Sequence, residues 1–550
     1  MNLCLAFILA SFKVIAIPAQ FQDCQFTSSQ AEIRTMLDNS ADYFNGQFGD
    51  ALTFEFDLAP VATLPHNLAY YGKNTVDTHD KMLYEGVIEA CRQAGDTMDF
   101  SEYDNDGDGC VDAVIILTAG LSEADGTAED NIWPQQDKLN NHHASFQANG
   151  VKVDGYITIN ELWSNAGEGA RLAGIGNLCH ELCHLLGLPD YYDTDGKSGG
   201  LSRAMWGKLS LMDEGNRNDE GRTPPYFNAL DLELLGLEEP VGIAPGEYML
   251  EPVGKSHRYL KATTSNDGEY FLFEARDNSG RDAFIGGKGL VIYHIDRSDK
   301  QIRFWDENKV NCKPEHQNAY VIQCVPEAED ISQVFFPQPG RTCFASSTEP
   351  AFTDWSGKES PFAITDIKAL DNGSVSFNVI RPFTIEDPVV FQDAVMFSWS
   401  KDGSLKEYGT SVSWSRNGET PAPVITSDGF VTIEGLEPHC TYVFTFTDIG
   451  TGYFATQTVT TKVIRDNAKP YICLSGAERS ADGSFIRGTR FPLRVINAKN
   501  ISSIVWYDGK SRITPDADGY LKVSHDMNLK AEITHTDGTR ESLMKEIHVR

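Results

Sequence analysis

Positive charge is scarce in this 550-residue chain: 46 Lys and Arg stand against 79 Asp and Glu, a formal net charge of −33. Such a balance speaks against nucleic acid or an anionic membrane as partner, because both require a basic face. A long hydrophobic run is missing as well. The apolar stretch Leu3–Ala10 is far short of the ~20 residues that span a bilayer, and no other stretch is a transmembrane candidate. Residues 1–12 read as a signal-peptide remnant or a misassigned start; the positively charged n-region of a signal is lacking, since the first Lys is Lys13. Cysteine is present but unpatterned. The 11 residues are an odd count without a CxxC pair, so the thiols do not define a compartment. One disulfide among Cys312, Cys324 and Cys343 is compatible with their spacing, and buried thiols are the default for the rest.

The remaining composition is that of a folded protein, with 41% hydrophobic and 11% aromatic residues. The length exceeds what one core fills and predicts about three to four domains. Acidity fits an exported protein with calcium sites, and it fits a solvated acidic surface equally.

The richest stretch is His180-Glu181-Leu182-Cys183-His184-Leu185-Leu186-Gly187-Leu188-Pro189-Asp190. Two histidines four apart share one helix face, so both imidazoles can reach one metal ion. Glu181 is placed to take a proton from a water at that metal. Gly187 can end the helix and Pro189 cannot continue it, so the chain turns back and Asp190 becomes the candidate third ligand. Three protein ligands and an open position are the plan of a catalytic zinc site rather than a structural one. Cys179 and Cys183, on a neighbouring face, read as small packing residues rather than rival ligands.

A second cluster is Asp104-Asn105-Asp106-Gly107-Asp108-Gly109-Cys110-Val111-Asp112. Carboxylates at alternate positions before Gly are how a short loop wraps oxygen atoms around calcium. Asp104, Asp106 and Asp108 would ligate through side chains, Cys110 through its carbonyl, and Asp112 directly or through water. The twelfth position is Ile115, not the bidentate Glu of an EF-hand, so no EF-hand helix pair is implied. A solvated turn is the alternative.

Periodicity supplies the frame. A buried strand is expected at 12–21, a helix at 28–44 whose start has the Ser29…Glu32 capping-box spacing, a strand at 53–58 and a helix at 78–94. A central strand is expected at 111–117, and an antiparallel edge strand suited to pairing with extended substrate at 150–163. The motif helix should run over 174–186 and a closing helix should end at Gly236. Met212, 28 residues after His184, sits where a Met-turn beneath the metal would lie, the second mark of metzincin-type sites.

The run from His180 to Asp193 resembles the signature of the immune inhibitor A family of secreted bacterial metalloendopeptidases. Further matches are Pro65–Gly72, the Asp-rich stretch to Asp112, Ile132-Trp133-Pro134, Leu211-Met212, Tyr270–Arg276 and Gly289–Asp296; the resemblance covers about residues 13–380. It implies that His180 and His184 bind zinc, that Glu181 is the general base and that Asp190 is the third ligand. The chain departs from the pattern twice. The pro-segment usual in the family is not visible before residue 13, and no Tyr follows Met212 at the offset where some metzincins place a transition-state-stabilising hydroxyl.

Downstream, strand-like segments continue to about residue 380. His294 with Asp296 could pass for a second metal pair and Glu274 for a distant zinc ligand, but alternation alone predicts polar residues on a packed sheet. Gly435–Phe444 resembles the hallmark of fibronectin type III domains, and 465–550 reads as a second Ig-like sandwich. The expected fold class is thus multidomain. An α/β (α+β) metzincin-like catalytic domain (13–240) precedes a β-rich module (241–383), a fibronectin type III-like domain (389–463) and an Ig-like domain (465–550). The expected activity is that of an extracellular, bacterial-type zinc endopeptidase acting on proteins or peptides. It would be secreted or attached to the cell surface through its C-terminal modules. The rival is a calcium-stabilised adhesin with a relic site.

Overall fold

The computed structural model describes residues 11–75, 79–164, 169–197, 204–405, 408–416, 423–463, 469–474, 484–516 and 519–550. The Leu3–Ala10 stretch lies outside them. The chain forms two compact units, one reaching Ser360 and including Ile364–Val379, the other made of Pro361–Ala363 and Ile380–Arg550.

In the first unit, the apolar run Val14–Ala19 is buried throughout within β1 (Ser11–Gln20), as a strand covered on both faces must be. Helix α1 (Gln30–Phe48) follows. Its expected capping box is formed, with Glu32 N–H donating to Ser29 Oγ and Ser29 N–H to Glu32 Oε2. Met36, Leu37, Tyr43, Phe44 and Phe48 bury one face of α1, each worth roughly 1.5–3 kcal/mol against exposure. Strand β2 (Thr53–Leu58) runs parallel to β1, and α2 (Leu83–Ala94) starts later than the expected 78. Strand β3 (Val114–Leu121) is parallel to the other side of β1.

The edge of this sheet differs from expectation. Strand β4 (Gln135–Lys138) is antiparallel to β5 (Gly155–Trp163), and β5 is parallel to β3, so the long strands are ordered β2-β1-β3-β5-β4. The 150–163 segment is therefore not an edge strand. Its first part, Val151–Val153, pairs in a hairpin with Phe146–Ala148, and the rest lies inside the sheet. The alternation seen in the sequence came from a hairpin joined to a buried strand.

Helix α3 (Gly176–Leu185) carries the histidines. It begins against the 216–222 loop, where a Cβ on Gly176 would lie 1.8 Å from Asn216 O. It ends as the sequence predicts: Gly187 takes φ +106, and its N–H and that of Leu188 close onto His184 O and Cys183 O. Leu178, Cys179, Leu182 and Cys183 point into the core. Helix α4 (Ala229–Leu234) follows, capped by Asn228.

Beyond residue 240, β6 (Leu260–Thr263), β7 (Glu269–Arg276), β8 (Gly289–Asp296) and β9 (Ala319–Val321) form an antiparallel sheet, with α5 (Ile302–Asp306) between the last two. Leu182, Leu211 and Leu230 share one apolar cluster with Leu272, Val291 and Val334, so a single core passes residue 240 without a break. The second unit is all-β. Its strands gather around Phe397, Phe444 and Phe446 in one part and around Phe491, Trp506 and Leu529 in the other.

Candidate metal centre

Helix α3 places His180 and His184 one turn apart, and the turn at Gly187 brings Asp190 back to them. Asp190 Oδ1 lies 3.1 Å from His180 Nε2 and 3.3 Å from His184 Nε2. His180 Nδ1 meets Leu211 O at 2.8 Å and His184 Nδ1 meets Leu188 O at 2.8 Å. A backbone carbonyl can only accept, so both Nδ1 atoms carry the proton and both Nε2 lone pairs are free to ligate. Asp190 is 5% exposed, yet its Oδ1 is buried without a hydrogen bond of acceptable geometry. Three donor atoms from two imidazoles and a carboxylate, all within 4.8 Å of one another, fit a zinc ion and give that orphaned oxygen a partner.

The buried charges compensate one another. Burial pushes the Asp190 carboxyl toward neutrality, but the two imidazoles outweigh it and hold it well below the usual carboxylate range. Burial likewise opposes charge on His180, whereas Asp190 and Glu181 raise its pKa to about 9. Glu181, 7% exposed, is pushed up by burial and drawn down by both histidines and by the Gln136 backbone N–H.

Residues 17–231 match the family profile of the immune inhibitor A peptidase M6 catalytic domain. That stretch is thus similar to an M6-type peptidase domain. Immune inhibitor A of Bacillus thuringiensis subsp. alesti is 26% identical over 259 residues, which are 39% of this chain and 36% of that protein. The protein named pre-pro-metalloprotease PrtV, from Vibrio cholerae serotype O1 strain M66-2, is 27% identical over 222 residues, 35% of this chain. The match spans 23% of PrtV's own length.

The remaining parts of the candidate site come from several stretches. Met212 is fully buried, and Tyr191 N–H donates to its carbonyl at 2.9 Å, tying the turn beneath His180 to the loop of Asp190. Cys179 and Cys183 are buried, and burial raises both thiols far from the thiolate form a metal needs. The ligands open on a cleft of about 770 Å³. Trp133–Gln136 and Tyr192 line it, and Arg297, Ile302, Trp305 and Asn308 reach it from beyond residue 240.

Sequence reasoning matched Trp133, Pro134 and Tyr192 to the family without giving them a role, and missed the residues beyond 240. Tyr192 lies with its ring parallel to His180, at 19° and 6.5 Å between centroids. Asn308 bonds Asp190 twice, donating from Nδ2 to Oδ2 at 2.7 Å and accepting Asp190 N–H on Oδ1 at 2.7 Å. Tyr192 had a signal in its nearness to Asp190. Asn308, 118 residues away, had none.

The other candidates fall into place elsewhere. Asp104, Asp106 and Asp108 converge within 4.8 Å, and one oxygen of Asp104 is buried without a partner. Asp112 Oδ2 accepts the Asn105 N–H, and Cys110 N–H donates to Asp108 Oδ1. Glu274 is remote from the histidines: it accepts from Arg276 Nε, Tyr293 Oη and Ala229 N–H. His294 bonds Glu269 and Tyr320, and Asp296 bonds His316, so no second pair forms. Cys312 Sγ meets Thr194 Oγ1 and Cys324 Sγ meets Arg341 O, so these two thiols are not joined to each other. Asp193, Asp195 and Cys312 also lie within 4.8 Å of one another.

Proposed function

We propose that the chain is a zinc-dependent endopeptidase of metzincin-like design that hydrolyses peptide bonds of proteins. The observation that carries this reading is the convergence of His180 Nε2, His184 Nε2 and Asp190 Oδ1 beside buried Glu181 at the floor of an open cleft. When bound, zinc supplies Lewis-acid activation of water and of the scissile carbonyl at neutral pH. Glu181 accepts the proton of the attacking water and passes it to the leaving amine; burial, which raises its affinity for a proton, suits that shuttle. Met212 and the Leu211 carbonyl brace His180 from below. Extended substrate pairs with β4: among the described residues no strand covers its outer side, and the Gln136 N–H beside Glu181 registers that edge to the metal.

Glu181→Ala tests the assignment. It should keep zinc and fold while losing casein cleavage, by at least the ~100–10,000-fold that a general base contributes; cleavage at the wild-type rate rejects it. The rival adhesin reading predicts no chelator-sensitive cleavage by the wild-type chain.

Calcium belongs to this reading at Asp104, Asp106 and Asp108, supported by the unpaired Asp104 oxygen. Among the described residues no helix is long and apolar enough to cross a membrane. We place the enzyme outside the cell, with 389–463 and 465–550 as fibronectin type III-like and Ig-like modules that space it or attach it to a surface.

A further inference from the structure

We propose that Asn308 is the positioning residue of the third metal ligand, so that the M6-type site is completed from outside the 17–231 stretch. The inference rests on the zinc reading of His180, His184 and Asp190.

A carboxylate has two oxygens and one rotatable bond to its carbon, so a free Asp could offer either oxygen, or both. Asn308 removes that freedom. Asp190 N–H must meet an acceptor, which fixes the amide oxygen of Asn308 on the backbone side and turns Nδ2 toward Asp190 Oδ2. With Oδ2 held at 2.7 Å, Oδ1 is left aimed at the two Nε2 atoms. Only a side chain with a donor and an acceptor on one carbon fits both contacts; a carboxylate there would lack the donor.

Asn308 is itself held. Its φ of 54 is a left-handed conformation that Asn tolerates better than most residues. Its carbonyl accepts Thr194 Oγ1 at 2.7 Å, and its N–H donates to Trp305 O. Trp305 Nε1 donates to Asp296 O at 2.9 Å, which pins α5 to β8. Three residues on, Asn311 Nδ2 donates to Tyr191 O at 2.8 Å. The loop that carries Asp190 is thus seated on the segment 308–311 at several points, and within that segment Asn308 is the residue bonded to the Asp190 side chain.

The test uses the full chain, with zinc affinity measured by competition against a chromogenic chelator. Asn308→Ala and Asn308→Ser should each bind zinc ~10–100-fold more weakly, the usual cost of losing a residue that orients a metal ligand. The visible spectrum of the cobalt(II)-loaded form should change, and at saturating zinc kcat should fall while KM holds. Thr194→Val removes a contact of the same loop without touching Asp190 and should leave zinc affinity within about twofold of wild type. Asn308 variants that fold with wild-type thermal midpoints and bind zinc as tightly as wild type overturn the proposal. Equal weakening by Thr194→Val reduces Asn308 to loop stability and also overturns it. A wild-type chain that binds no zinc, or an His180→Ala chain that binds it undiminished, defeats the zinc reading instead.

Discussion

The chain holds two clusters with the residue types of a metal site, and they are built in opposite ways. At His180 and Asp190 the supports come from afar, Leu211 being 31 residues from His180 and Asn308 118 from Asp190, while His184 is braced by Leu188 O four residues on. At Asp104, Asp106 and Asp108 they come from the loop itself, over two to five residues: Asp106 accepts the Asp108 N–H, Asp108 the Cys110 N–H and Asp104 the Gly109 N–H. Asp106 and Asp108 are exposed, whereas His180 and Asp190 are 4% and 5% exposed. Each of these carboxylates spends one oxygen on its own turn, Asp106 and Asp108 through Oδ1 and Asp104 through Oδ2. Buried ligands held rigid by distant elements have one uncommitted atom each and a shared target. Spacing alone shows that ligands can meet; the contacts behind them show whether the site is built.

The sharpest way to break this comparison is Asp190→Ala. It should weaken zinc binding by ~100-fold or more, beyond the loss expected from a residue that only orients a ligand. Full zinc affinity would require a ligand from elsewhere and would make the two clusters alike.

A smaller effect is expected at the loop. Calcium at ~10 mM should raise the thermal midpoint of the first unit by ~2–5 °C, as a weak extracellular-type site would. Asp106→Ala should abolish that gain and leave casein cleavage in saturating zinc unchanged. A loop variant that loses zinc or activity would dissolve the distinction between the clusters.

The smallest effect is in pH. Burial raises the Asp112 carboxyl to about 6, with Asp106 and Asp108 adding to it and the Asn105 N–H opposing. The folded state therefore holds this proton more tightly than the unfolded chain, and stability is lost as pH rises through the range between an ordinary carboxylate and about 6. In chelator, Asp112→Asn should melt above wild type at pH 8 and level with it at pH 4. Equal midpoints at both would mean that the carboxyl is not strained.

Much of the metal site was legible because its chemistry is local in sequence. The His180 to Asp190 run contains both candidate helix-face ligands, the proposed base, the Gly that ends the helix and the returning Asp. Strands β1, β3 and β7 were legible as apolar runs, and β2 by its alternation. The polar strand Gln135-Gln136-Asp137-Lys138 was not, because an exposed edge requires no apolar face. The 150–163 segment misled because two short elements in series imitated one alternating strand. Asn308 and the cleft wall of Arg297, Ile302 and Trp305 depend on tertiary contacts that no local pattern announces.

The unbroken core across residue 240 sets what can unfold alone. Leu182 and Leu230 share their apolar neighbours with Leu272 and Val291, so neither side can open without wetting the other. Backbone amides of α3 and of β7 should therefore exchange with solvent in one cooperative event and melt in one heat-absorption peak. The end of the family match at residue 231 is then not a boundary of cooperativity.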